Sequence, residues 1–99
     1  MNRDQVIRIL SEHSVELARK FRVKSLALFG SVSRDEAEPS SDVDLLVEFE
    51  PTAQIGMFEF ARLRRQLSHI LGCKVDLATL GSLHKSLKDN ILRESIRAA

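Results

Sequence analysis

Two short apolar runs, Val23–Phe29 and Val43–Phe49, constrain this chain most. Both are rich in Val, Leu and Phe and bounded by breakers, Gly30 after the first and Pro51 after the second, so both read as buried strands. The second run nevertheless carries acids: Asp42 at its threshold and Asp44 inside it. Residues two apart on a strand project from the same face, roughly 7 Å apart along the backbone. Two carboxylates in an otherwise apolar strand cost stability unless a cation or hydrogen bonds compensate. The plainer alternative is a strand end whose acids point into water.

Helical patterns surround these strands. Residues 3 to about 20 place Val6, Ile7, Leu10, Leu17 and Phe21 at helical spacing, with Arg19, Lys20 and Arg22 at the end that favours cations. A short helix is expected between Ser31 and Glu38, with Ser31 as its N-cap, and a turn at Pro39-Ser40-Ser41. Residues 56 to 71 carry the clearest second stripe, Phe60, Leu63, Leu67 and Ile70, and Gly72 follows as a stop. Val75 to Ala78 reads as a short third strand. A last amphipathic segment, about 82 to 97, sets Leu83, Leu87 and Ile91 together. The order helix, strand, strand, helix, strand, helix predicts an α+β fold, a small mixed sheet backed by helices.

Composition excludes several functions. Ninety-nine residues, 43% apolar and 29% charged, suit one globular domain over residues 1–99. No apolar run approaches the roughly 18 residues of a membrane span, and Met1-Asn-Arg-Asp-Gln5 lacks the order of a signal peptide. The single cysteine, Cys73, cannot form an internal disulfide and suits a reducing cytoplasm, where it reads as a small, partly buried hydrophobe beside a turn. A net charge of +1, spread cations and the absence of Tyr and Trp argue against direct nucleic-acid binding.

The strand acids gain meaning from their neighbours. Gly30-Ser31 stands where an apolar strand meets a turn; glycine permits close backbone approach, helix-start amides favour phosphate, and the Ser31 hydroxyl can donate to a phosphate oxygen. Asp42 and Asp44 can converge on one magnesium ion or a pair about 4 Å apart, and magnesium prefers a few carboxylates completed by phosphate oxygens and water. Asp76 offers a third carboxylate on the third strand. A third acid in such a site binds the metal beside an attacking hydroxyl and helps remove its proton. Arg34 can steady phosphates, with a plain surface role as the alternative. Rival motifs fail: no P-loop or Gly-x-Gly-x-x-Gly is present, a calcium loop from Asp42 meets Leu46 and Val47 at the wrong places, and His13, His69 and His84 are too scattered for zinc.

These residues resemble the minimal nucleotidyltransferases of the polymerase-beta-like superfamily. The family signature is Gly-Ser, an arginine shortly after, Ser-Asp-x-Asp-Leu-Leu-Val and a later aspartate. Here it is matched by Gly30-Ser31, Arg34, Ser41-Asp42-Val43-Asp44-Leu45-Leu46-Val47 and Val75-Asp76-Leu77. Asp35 departs from the glycine that often follows the arginine, which bears on loop shape.

The resemblance implies catalysis by Asp42, Asp44 and Asp76 as metal ligands, and nucleotide binding by Gly30, Ser31, Arg34 and Ser41. It further implies Mg2+ as cofactor, ATP as substrate, and transfer of AMP to a hydroxyl. Relatives of this size are commonly paired with a small helical HEPN-family toxin, whose tyrosine receives AMP while the transferase serves as antitoxin. Two alternatives stay open: a binding module that neutralises a partner by contact alone, and transfer to a small-molecule hydroxyl in a pocket built by self-association into a homo-oligomer.

Overall fold

The computed structural model describes residues 2–30, 42–83 and 85–99, and of residues 86 and 87 the backbone only. The chain runs α1 (Arg3–Glu12), α2 (Ser14–Phe21), β1 (Val23–Phe29), β2 (Val43–Phe49), α3 (Met57–Leu71), β3 (Val75–Ala78), a 3-10 turn (Leu80–Ser82), α4 (Lys85–Glu94) and β4 (Ile96–Arg97). The helix expected at Ser31–Glu38 and the turn at Pro39-Ser40-Ser41 lie outside the described residues. The α+β expectation holds: four strands form a mixed sheet in the order β3-β2-β1-β4.

The first helical pattern forms two helices rather than one. A capping box starts α1: Asn2 Oδ1 accepts from the Gln5 amide at 2.9 Å, and Gln5 Oε1 accepts from the Asn2 amide at 3.0 Å. Val6 and Leu10 then bury one face, but the next core positions are the polar His13 and Ser14. With no apolar anchor there, His13 leaves helical geometry (φ −102°, ψ 5°) and its ring Nδ1 lies 2.9 Å from the Ile9 carbonyl oxygen. Leu17 restores the buried face in α2, which stops at Arg22 in the left-handed region (φ 60°).

Strands β1 and β2 pair antiparallel, with Leu26 opposite Val47 and Phe29 opposite Asp44. Strand β3 returns through α3 and pairs parallel to β2, a connection that requires such a crossover. As expected, α3 fills residues 57–71 and ends at Gly72 in the left-handed region (φ 68°). Its Leu63, Leu67 and Leu71 meet Val6, Leu10 and Leu17 over one face of the sheet, where Leu26, Leu28, Val43, Leu45, Val47 and Val75 complete the core.

The C-terminal pattern is shorter than expected. Instead of a helix over 82–97, α4 stops at Glu94, and Ser95 closes it through its hydroxyl to the Leu92 carbonyl at 3.1 Å. The chain then extends along β1: the Ala98 amide donates to the Leu26 carbonyl at 2.8 Å and the Leu26 amide donates to the Ala99 carbonyl at 3.1 Å. Without this segment β1 would present an unpaired row of backbone groups, so edge pairing overrides helix propensity there. Buried Ala98 (3% exposed) and a 2.8 Å bond from the Ser11 hydroxyl to its carbonyl fasten the segment to α1.

Candidate active site

Alternation on β2 decides where its acids point. Val43, Leu45 and Val47 are buried among the helices, so Asp42, Asp44 and Leu46 take the opposite face. On β3, Val75 is buried and Asp76 is exposed on that same opposite face. Parallel register sets Asp44 directly beside Asp76. Neighbouring strands run about 4.8 Å apart, so the Cα atoms of these two acids are adjacent across the sheet.

Gly30 closes in from β1. Its neighbour Phe29 is the antiparallel partner of Asp44, and Gly30 itself turns into the left-handed region at φ +75°. A Cβ built on Gly30 would lie 3.0 Å from Asp44 Cγ and closer still to the carboxylate Oδ2. Only a residue without a side chain lets this carboxylate rest against the end of β1.

Asp42 is held from the other side. Lys74 precedes β3, its carbonyl accepts from the Val43 amide at 3.0 Å, and its ammonium lies 3.8 Å from Asp42 Oδ2. The sequence reading gave Lys74 no role, although its position two residues before Asp76 places it on the same face. Next to it, Cys73 is half-buried against the core, as expected; burial pushes its thiol above the ordinary 9.0, and nearby Asp42 adds to the effect.

Of the expected site residues, Gly30, Asp42, Asp44 and Asp76 gather at one end of the sheet. Ser31, Arg34 and Ser41 lie outside the described residues, as does His84. His13 breaks a helix and His69 is exposed on α3, so neither joins the acids. Among the described residues no three Asp, Glu, His or Cys side chains converge closely enough to hold a metal ion. The donor set is nonetheless suited to a hard cation: carboxylate oxygens on one face, one of them cradled by a bare glycine. Closing around such an ion requires side-chain rotation, for which the exposure of Asp76 and of the Lys74–Asp42 pair leaves room.

The acid-bearing face also carries a groove of about 400 Å³, which sequence patterning did not reveal. Ala27 of β1, Leu46 of β2, Thr79 and Leu80 after β3, and Leu92 of α4 are among the residues that line it. Leu46 stands two residues along β2 from Asp44, so the groove opens beside the acids. No helix among the described residues is long and apolar enough to cross a membrane.

A nucleotidyltransferase domain model matches residues 10–98. The protein adenylyltransferase MntA of Thermococcus cleftensis is 37% identical over 93 residues, spanning 94% of this chain and 92% of its own. A solved minimal nucleotidyltransferase superposes with a TM-score of 0.78 at 34% identity, covering 97% of this chain and 95% of that one. The MNT antitoxin complexed with the tri-AMPylated Shewanella oneidensis HEPN toxin matches with a TM-score of 0.65 at 20% identity, over 94% and 71% of the two chains. The last of these carries the fold alone; the first three, with the Gly30-cradled acid and its partner across the sheet, make this chain a member of the nucleotidyltransferase domain family, of the minimal type.

Proposed function

We propose that this nucleotidyltransferase moves AMP from ATP onto a hydroxyl, a tyrosine by the family's precedent, of a HEPN-family toxin in the cytoplasm and so acts as its antitoxin. The observation that carries this reading is the register that sets Asp44 beside Asp76 with Gly30 packed on the Asp44 carboxylate. Similarity to an adenylyltransferase over nearly the whole chain supports AMP as the transferred group.

In this reading Asp42 and Asp44 hold Mg2+, with Asp76 completing the set toward the acceptor. Bound there, magnesium supplies charge neutralisation and orientation of phosphate oxygens. Gly30 gives the triphosphate close access to the backbone, while Ser31, Arg34 and Ser41 add hydrogen bonds and positive charge. Asp76 draws the proton from the acceptor hydroxyl, whose oxygen attacks the α-phosphorus. The bond to the bridging oxygen breaks and pyrophosphate leaves. Positioning and charge complementarity account for most of the acceleration in such transfers.

The test incubates the protein with its HEPN partner, ATP labelled in the α-phosphate, and Mg2+. Label on the partner, lost with Asp42→Ala plus Asp44→Ala, is the expected result; a confirmed complex that takes no label at any metal concentration refutes catalysis. One observation favours the contact reading: Met57 and Phe58, at the start of α3, are each 83% exposed and offer an apolar patch. Neutralisation that survives loss of both acids selects that reading.

A further inference from the structure

Lys74 is placed by backbone, not by chance of its long side chain. The Val43 amide bond to its carbonyl fixes it across from the start of β2, and strand parity puts its stem on the face of Asp76. Its ammonium then falls 3.8 Å from Asp42 Oδ2, with the Lys74 side chain 81% and the Asp42 side chain 38% exposed. An ion pair this open contributes little to folding, so stability does not account for the placement. Its effect is local. Asp42, Asp44 and Asp76 crowd negative charge onto one end of the sheet, and the lysine supplies a positive charge where a cation is needed.

Resting on the proposed nucleotidyl transfer, we infer that Lys74 is a positioning residue of the carboxylate site, a tethered cation that holds Asp42 until a metal ion displaces it and then counters the charge of the nucleotide's phosphates. Two consequences have opposite signs. Lys74 weakens binding of a metal alone, since it competes for Asp42 and repels a second cation; it strengthens binding of the metal–nucleotide pair, whose phosphates bring excess negative charge. A merely structural lysine would move neither quantity, and one that served only the phosphates would move the second alone.

The experiment compares wild type with Lys74→Met, which keeps the apolar stem, and Lys74→Arg, which keeps the charge. Mn2+ alone is titrated by electron paramagnetic resonance, and ATP with Mg2+ by calorimetry. One unit charge a few ångströms away in near-bulk water is worth about three- to fivefold in each constant. Lys74→Met is expected to bind Mn2+ tighter and MgATP weaker by about that factor, with Lys74→Arg close to wild type. Unchanged or weaker Mn2+ binding by Lys74→Met overturns the inference, as does unchanged MgATP binding. Wild-type protein that binds neither probe refutes the proposed site and this role with it; wild type that binds both, beside an unaltered Lys74→Met, refutes the lysine's role only. Equal thermal midpoints of the three proteins show that folding is not the variable.

Discussion

Gly30 and Gly72 form a matched pair that separates backbone cost from site geometry. Both occupy the left-handed region, at φ +75° and +68°, and replacing either by alanine forces a β-carbon into it. That conformation costs an ordinary residue roughly 1–2 kcal/mol. At Gly72 nothing lies within 4 Å of the added carbon, so the backbone term is the whole effect. At Gly30 the added carbon lies 3.0 Å from Asp44 Cγ and overlaps the carboxylate, which must swing away by something near an ångström. Displacement on that scale can cost about 100-fold in rate. Both variants should therefore lose about 1–2 kcal/mol, lowering the melting midpoint by roughly 4–16 °C for a domain of this size. Only Gly30→Ala should lose AMP transfer, while Gly72→Ala stays within about twofold of wild type, because its added carbon enters open space and touches none of the acids. Thermal denaturation and label transfer below both midpoints decide the matter. A Gly30→Ala variant with wild-type transfer, or equal loss in both variants, would refute the reasoning.

Asp44→Asn keeps the shape and removes the charge; transfer should fall by about 100-fold or more, the scale of several kcal/mol at a metal-assisted centre, while the melting midpoint changes little. Chelation by EDTA should abolish transfer reversibly and leave the circular dichroism spectrum unaltered, since the core is built from side chains alone. Leu45→Ala empties a fully buried core position next to Asp44 in the chain and should cost about 2–5 kcal/mol, read by chemical denaturation. Cys73 should react with iodoacetamide at pH 8 more slowly in the native than in the unfolded protein, because burial favours the neutral thiol. Its folded pKa is raised, so this contribution to stability is complete below the unfolded thiol's pKa and is lost as pH rises through the folded value. A Cys73→Ser variant should flatten that alkaline decline.

Strand periodicity made β1, β2 and the outward face of Asp42 and Asp44 legible, because Val43, Leu45 and Val47 must all be buried. Helix α3 was legible through its stripe and Gly72. The break at His13 was not: Leu17 continues the stripe, and only the lapse at His13 and Ser14 shows where the chain bends. Nor was β4, whose two residues, Ile96 and Arg97, are too few for a pattern and pair only because β1 offers an edge. In the site, the shared face of two acids followed from spacing. The alignment of Asp44 with Asp76 did not, since parallel register is set by how α3 packs; the Lys74–Asp42 pair depends on that register, and the Gly30–Asp44 contact on the antiparallel register of β1 and β2.

That alignment also governs how firmly the outer strand adheres. β3 meets β2 along four residue pairs, and one rung sets like charge beside like charge. Such an edge opens more readily when its rung is repulsive and less readily when an ion bridges it. Ligand that binds only the closed form then raises the free energy of opening by RT ln(1 + [L]/Kd), a rise that continues with ligand concentration. Amide exchange along Val75–Ala78 thus becomes a local gauge of site filling, distinct from β1, which is flanked by strands on both sides. The edge strand beside the acids is the one that reports what they hold.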